Sequence, residues 1–238
     1  NSTFDLIQSS AKYWIIHNEY EFDDRELPAR GVVLRSDSNN ESDFIYEVMG
    51  SVVSGLSPDD SLCVDVTGFM RPHLMFLIIY LRANGIKNFD LIYSEPSHYS
   101  RKSDTVFSSD VYSVHQVGGY EGVHNVDLSN DVLLVGCGYD HDLVSQVISY
   151  KSGAKLLQLL SLPSLSADMY QESLVRLQKV ADAPMRVPDE QIAYVCANDP
   201  FATCLILENA ISKFELAQGA ITNLYLSPLA TKPQVIGF

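Results

Sequence analysis

In "VDVTGFMRP", residues 64–72, an apolar run breaks at Asp65 and recovers only after Thr67, Gly68 and Arg71. These residue types together can hold an anion. Glycine permits a tight turn and lets a ligand approach the main chain. A threonine hydroxyl can donate, and a guanidinium can make a bidentate, charge-assisted pair with phosphate or carboxylate. If a helix starts at Arg71-Pro72, its first N–H groups face outward and favour negative charge. Asp65 would then stand at a strand tip, where it could accept from a ribose hydroxyl or orient Arg71. The plain alternative is a Thr67 helix cap with an Asp65–Arg71 surface ion pair.

Three other stretches carry similar chemistry. In "LSPLATKPQ", residues 226–234, Lys232 follows Thr231 at an expected helix start. It is either a second phosphate contact or a solvated lysine beside an N-terminal proline. "NEYEFDDREL", residues 18–27, sets Tyr20 and Arg25 among acids. As a strand-end loop it would hold those two near a base or sugar, and Asp23 with Asp24 could bind Mg²⁺ together with substrate phosphates. A solvated acidic loop is the alternative. "VLLVGCGYDHD", residues 132–142, has a strand followed by Gly136 and Gly138. It lacks the third glycine of a dinucleotide fingerprint, and no acid ends the next strand. The glycines are therefore expected to make a tight turn that exposes Tyr139 and Asp140. The loop over residues 95–104 holds Glu95, His98, Tyr99 and Arg101, which could form a lid but whose geometry nothing fixes.

The elements that would position these residues repeat one grammar. Apolar runs of strand length at 12–17, 61–66, 88–94, 131–136, 154–162, 192–197 and 221–227 are each followed by turn residues. An alternating run at 111–117 adds another expected strand. Helical spacing appears at 43–56 with Asp43 near its cap, at 71–85 with Pro72 in the first turn, and at 140–153. It recurs at 166–182 with Ser166 as cap, at 200–219, and from Lys232 onward. Continuous apolar strands alternating with helices predict an α/β, Rossmann-like fold: a mostly parallel sheet covered by helices on both faces. Right-handed crossovers then put the strand C-terminal ends, and with them the polar residues above, on one edge.

Residues 13–27 and 132–144 both run from an apolar strand through a tyrosine into clustered acids. A pseudo-duplication would give two units, 1–125 and 126–238; the plain alternative is repeated use of the same grammar in one continuous domain. The sequence ends one turn into its last expected helix, which suggests a missing C-terminal part or a removed effector domain.

The chain has 238 residues and a formal net charge of −14, which argues against a duplex nucleic-acid or anionic-membrane surface but not against a small anion held by local cations. No apolar run reaches the ~18 residues that a bilayer span needs. The N-terminus has neither the basic start nor the apolar core of a signal peptide. Cys63, Cys137, Cys196 and Cys204 form no CxxC pair and are expected as buried free thiols in a reducing cytoplasm. The six histidines show no metal-ligand spacing.

Strand-Asp-x-Thr-Gly followed by a basic residue and proline resembles the ligand-binding turn of CARF domains. Those are Rossmann-like sensors of cyclic oligonucleotides in CRISPR-linked and related antiviral systems. Asp65, Thr67 and Gly68 match the family's TGGTK-like string, with Arg71 at or next to its basic position. Phe69 replaces the second glycine and Met70 the small hydroxyl residue. The resemblance spans about 30 of the 238 residues. It implies a nucleotide-sensing module with a small anionic, nucleotide-like ligand, built from two facing units and read out by an effector domain or partner protein. Two other classes remain open: a metal-assisted enzyme acting on a nucleotide or phosphate ester, with Mg²⁺ as its cofactor, and a protein-interaction module without ligand.

Overall fold

The computed structural model describes residues 2–57, 59–94, 114–138, 141–165 and 191–238. They form two compact units, one of Asn1–Ile92 with Val117–Tyr120, the other of Tyr93–Gln116 with Glu121–Phe238.

The first unit opens with helix α1 (Ser2–Leu6), strand β1 (Tyr13–Ile15), a 3-10 turn over Asn18–Tyr20, and strand β2 (Val32–Leu34). Helix α2 (Glu41–Ser54), strand β3 (Leu62–Asp65), helix α3 (Arg71–Ala83) and strand β4 (Phe89–Ile92) follow. β1 pairs with β2 and β3 with β4, both in parallel. β3, α3 and β4 thus make one βαβ unit. The helical period of α2 and α3 sets their packing, with Phe44, Ile45, Val48 and Met49 buried on one and Leu74, Leu77 and Leu81 on the other. Burying each such side chain contributes roughly 1.5–3 kcal/mol. The cap of α2 is Asn40, not Asp43: its side chain accepts from the N–H groups of Ser42 and Asp43. Asp43 lies inside the first turn instead, where its charge still suits the helix dipole.

The expected strand at 111–117 is not found in its described part, since residues 114–117 are irregular; residues 111–113 lie outside the described residues. Side-chain bonds rather than a ladder fasten the segment that follows. The Gly118 N–H donates to Glu41 Oε1 at 2.9 Å, and the Tyr120 hydroxyl donates to the Met75 carbonyl at 3.2 Å.

The second unit contains β5 (Val132–Cys137), α4 (His141–Tyr150), β6 (Lys155–Ser161), β7 (Ile192–Val195), α5 (Pro200–Gln218), β8 (Leu224–Pro228) and α6 (Lys232–Gly237). The sheet order is β7-β6-β5-β8, with every pairing parallel. The first strand of the unit is therefore central, and all six of its residues are buried. The chain moves outward from β5 to β7 and then jumps back across β5 to β8. With right-handed crossovers this reversal puts the connecting helices on opposite faces. One face packs Leu133, Val135, Cys137 and Leu160 against Val144 of α4. The other packs Val132, Leu134, Leu157 and Leu159 against Leu207 and Phe214 of α5. The fold is α/β and Rossmann-like. The described strands do not repeat between the units, because one has two separate pairs and the other a four-stranded sheet. The expected helix at 166–182 lies outside the described residues. All four cysteines are free, but only Cys137 is buried; Cys196 is half-buried, and Cys63 and Cys204 are exposed. An apolar run shows that one side of an element is buried, not which side a given thiol takes. Among the described residues no helix is long and apolar enough to cross a membrane.

Gly136 lies within β5 rather than in a turn, and both it and Gly138 are pressed by distant parts of the chain. A Cβ on Gly136 would lie 2.8 Å from the Phe238 ring, and one on Gly138 would collide with the Leu229 carbonyl oxygen. The space beside the end of β5, where a doubly wound sheet changes direction and binds dinucleotides, is filled by the chain's own residues 229, 230 and 238. Gly138→Ala has to move main chain and is expected to cost about 1–3 kcal/mol, read as a lower urea midpoint by circular dichroism. Unchanged stability would show that the Leu229 segment yields freely.

Candidate functional site

In the first unit the β3–α3 turn carries Asp65, Thr67, Gly68 and Arg71. Asp65 ends β3, and its Oδ1 accepts from the Thr67 N–H at 3.0 Å. This Asx-type bond shapes the turn and replaces a Thr67 cap. Helix α3 instead starts from Met70, whose side chain caps nothing, and Arg71 is its first residue with Pro72 next. Met70 therefore adds no side-chain cap at the positive end of this thirteen-residue helix. Phe69 is buried and meets the His17 ring edge-on at 5.2 Å. It anchors the turn from below, which is why a large apolar residue stands there.

Gly68 is exposed and needs no unusual backbone angle. A Cβ there would meet nothing within 4 Å. Close approach, rather than the turn, is what glycine leaves open at this position. Its carbonyl accepts from the Tyr20 hydroxyl at 3.0 Å. Burial raises the Tyr20 hydroxyl above its ordinary pKa and Glu19 adds to this, while the nearby Arg71 charge opposes it. The Tyr20 hydroxyl thus joins Gly68, with the Arg71 charge near enough to act on it.

Beside this turn lies a cleft of about 570 Å³, within the ~300–1,000 Å³ range of small-molecule sites. Its walls include Trp14, His17, Tyr20, Phe22, Arg30 and Gly68. Trp14 comes from β1 and His17 from just beyond it, so the strand's C-terminal end again builds the site. His17 stacks on Phe44 at 4.6 Å and meets the His73 ring at 4.8 Å. His73, only 4% exposed, has no hydrogen-bond partner for either ring nitrogen among the described residues. Burial pushes its pKa down, against the pull of Glu19 and Glu41, so the ring is neutral at pH 7. The neutral His73 ring and the aromatic faces packed around it keep the turn apolar below.

The other expected residues fall elsewhere. Arg25 is exposed and is not part of the cleft wall; Arg30, five residues on, takes that place. Asp24 Oδ1 accepts from Arg35 at 3.3 Å, and the Asp23 main-chain N–H donates to Glu26. Among the described residues no group of three His, Cys, Asp or Glu side chains converges as a metal site. Lys232 belongs to the second unit, half-buried at the start of α6, whose first turn is closed by a Thr231–Gln234 capping box. Tyr139, Asp140 and the loop with Glu95, His98, Tyr99 and Arg101 lie outside the described residues.

A second polar cluster, absent from the sequence reading, sits at the N-terminal edge of the second unit's sheet. Asp131 accepts from Thr222 Oγ1 at 2.8 Å, Asn223 Nδ2 at 2.7 Å and the Tyr225 hydroxyl at 3.1 Å. Lys151 Nζ stands 3.8 Å over the Tyr225 ring. Burial pushes the Asp131 carboxyl up, but its three hydrogen bonds and Lys151 together hold it below the ordinary value. Burial and the adjacent Asp131 raise the Tyr225 hydroxyl. Ligands bind at the opposite edge of such sheets, so this cluster is a clamp between the starts of β5 and β8.

No protein-family model, curated protein or solved structure matches the chain.

Proposed function

We propose that this chain is a nucleotide-sensing module, whose first unit binds a small phosphate-bearing ligand at the β3–α3 turn. The observation that supports it most is the start of α3 at Arg71, where the N-cap Met70 adds no side-chain hydrogen bond, next to the open space over Gly68 and a cleft walled by aromatic rings. An anion there meets a helix dipole, a guanidinium and exposed main chain, while its uncharged part is sheltered. The strong negative charge of the whole chain makes such a local cation necessary. The resemblance of Asp65, Thr67, Gly68 and Arg71 to the CARF turn adds the ligand class, a nucleotide second messenger in prokaryotic antiviral defence. An effector domain or partner protein in the cytoplasm would read the bound state.

A thermal-shift screen of nucleotides and cyclic oligonucleotides tests this, with and without Mg²⁺. A ligand specific for the native state adds about 2.7 kcal/mol of stability at a hundredfold excess over its Kd. Gly68→Val supplies a control that leaves the fold alone. Its side chain enters open space, so the unfolding midpoint is expected to hold while ligand affinity falls about tenfold. Equal affinity in the Val variant would place the ligand elsewhere, and no shift with any nucleotide would end the sensor reading.

A further inference from the structure

We propose that the face of the Trp14 indole is the seat for the planar ring of the bound nucleotide, and that Phe4 of helix α1 competes for that seat. The proposal rests on the phosphate-turn reading above and names what the rest of the ligand is.

The observations lie at the cleft rim. The Phe4 ring stacks on Trp14 with centroids 4.9 Å apart and an interplanar angle of 15°. Lys12 Nζ stands 4.5 Å from the Phe4 ring centroid and Arg30 Cζ 5.4 Å from it. The seat therefore combines an aromatic face with two cations. A benzyl ring uses the stack but brings no negative charge to those cations. A nucleobase carrying a phosphate uses both. The indole is held ready, because its Nε1–H donates to the Arg30 carbonyl at 2.7 Å. Gly31, at φ +90°, passes the ring where a Cβ would lie 3.0 Å from it. Gly68 lines the same cleft, so a ring on Trp14 and a phosphate at the turn share one cavity.

The present occupant is weakly held. Helix α1 has five residues, far short of the length at which a helix is stable alone. Besides the Phe4 stack and the two cations beside that ring, its ties include the Arg30–Asp5 ion pair at 2.6 Å and Lys12 donating to the Phe4 carbonyl. Both members of the ion pair are well exposed, and such pairs add little stability. Leu6, at 79% exposure, packs on nothing substantial. A ligand ring can take the seat by loosening one turn of helix.

Trp14 is the only tryptophan in the chain, so its emission reports the seat directly. The experiment titrates the full chain with AMP and GMP, and with ribose 5-phosphate and pyrophosphate as ringless controls. Both emission and thermal shift are followed. The expected result is saturable quenching by the nucleotides only, tightened about fivefold in Phe4→Ala by removal of the competitor. Asp5→Asn, which loosens α1 without removing a ring, is expected to act in the same direction. The proposal is overturned if nucleotides bind with unchanged emission, or if Phe4→Ala leaves their affinity unchanged or weaker. If ringless phosphates bind through Arg71 and the nucleotides bind no better, the ring seat falls and the phosphate turn stands. If quenching survives Arg71→Ala at full affinity, the ring seat stands and the phosphate turn falls. If none of the four compounds binds, both fall.

Discussion

Arg71→Ala is expected to weaken binding of pyrophosphate and nucleoside monophosphates by about 10- to 100-fold. The size follows from one charge-assisted pair, worth about 1.5–3 kcal/mol when a group on the partner is charged. Two features make Arg71 the residue to lose. It is the first residue of α3, so its charge adds to the positive end of the helix. Its field also reaches the Tyr20 hydroxyl, which bridges to Gly68 across the mouth of the cleft. The buried contacts of this turn are made by Phe69 and His73. Arg71→Lys keeps the charge without the fork and should retain part of the affinity. Calorimetric titration of wild type and both variants decides the matter. Equal affinity in all three would mean that the anion is held elsewhere.

The largest effect on stability belongs to Asp131. Replacing it with Ala strands Thr222, Asn223 and Tyr225 at a site that is 8% exposed, with an expected loss of about 3 kcal/mol. Asp131→Asn keeps the shape but loses the charge that Lys151 complements, and should lose less. The pH dependence has a definite sign. The folded carboxyl sits below its ordinary value of 3.8, so the unfolded chain takes up its proton first as pH falls. The contribution of Asp131 is therefore complete above that ordinary value and fades as pH drops through the lower folded one. The gap in urea midpoint between wild type and Asp131→Asn should be constant near neutrality and narrow below about pH 4. Far-UV circular dichroism is the measurement to use, because Trp14 reports only the first unit. A gap that widens in acid would contradict the clamp.

What the sequence revealed and what it hid follow from range. The strands β3, β5, β6 and β8 and the helices α2, α3 and α5 were legible because each carries its own apolar period. The β3–α3 turn was legible because Asp65, Thr67, Gly68 and Arg71 sit within seven residues. The cap at Asn40 was missed because Asp43, inside the first turn, satisfies the same local preference. Strand β2, only three residues long, has too little period to see. The Asp131 clamp was hidden because its partners lie more than ninety residues away in sequence. Trp14 and Arg30 were hidden for a related reason, since only a fold that brings β1 beside the chain after residue 26 makes them neighbours. Gly136 and Gly138 read as a turn because nothing local announces that residues 229 and 238 will press on them.

The first unit is not a continuous stretch of chain. Val117–Tyr120 belongs to it, and that segment supplies the N–H that Glu41, buried in α2, accepts. On the ribosome, Asn1–Ile92 therefore emerges with a buried carboxylate still lacking this donor. Roughly 25 further residues must be translated before the donor arrives, which takes about 1–5 s at ordinary rates of synthesis. Those residues belong to the second unit. The nascent chain thus cannot finish one unit before it has begun to make the other. A gene truncated after Ile92 is expected to yield a less stable fragment than one that continues through Tyr120.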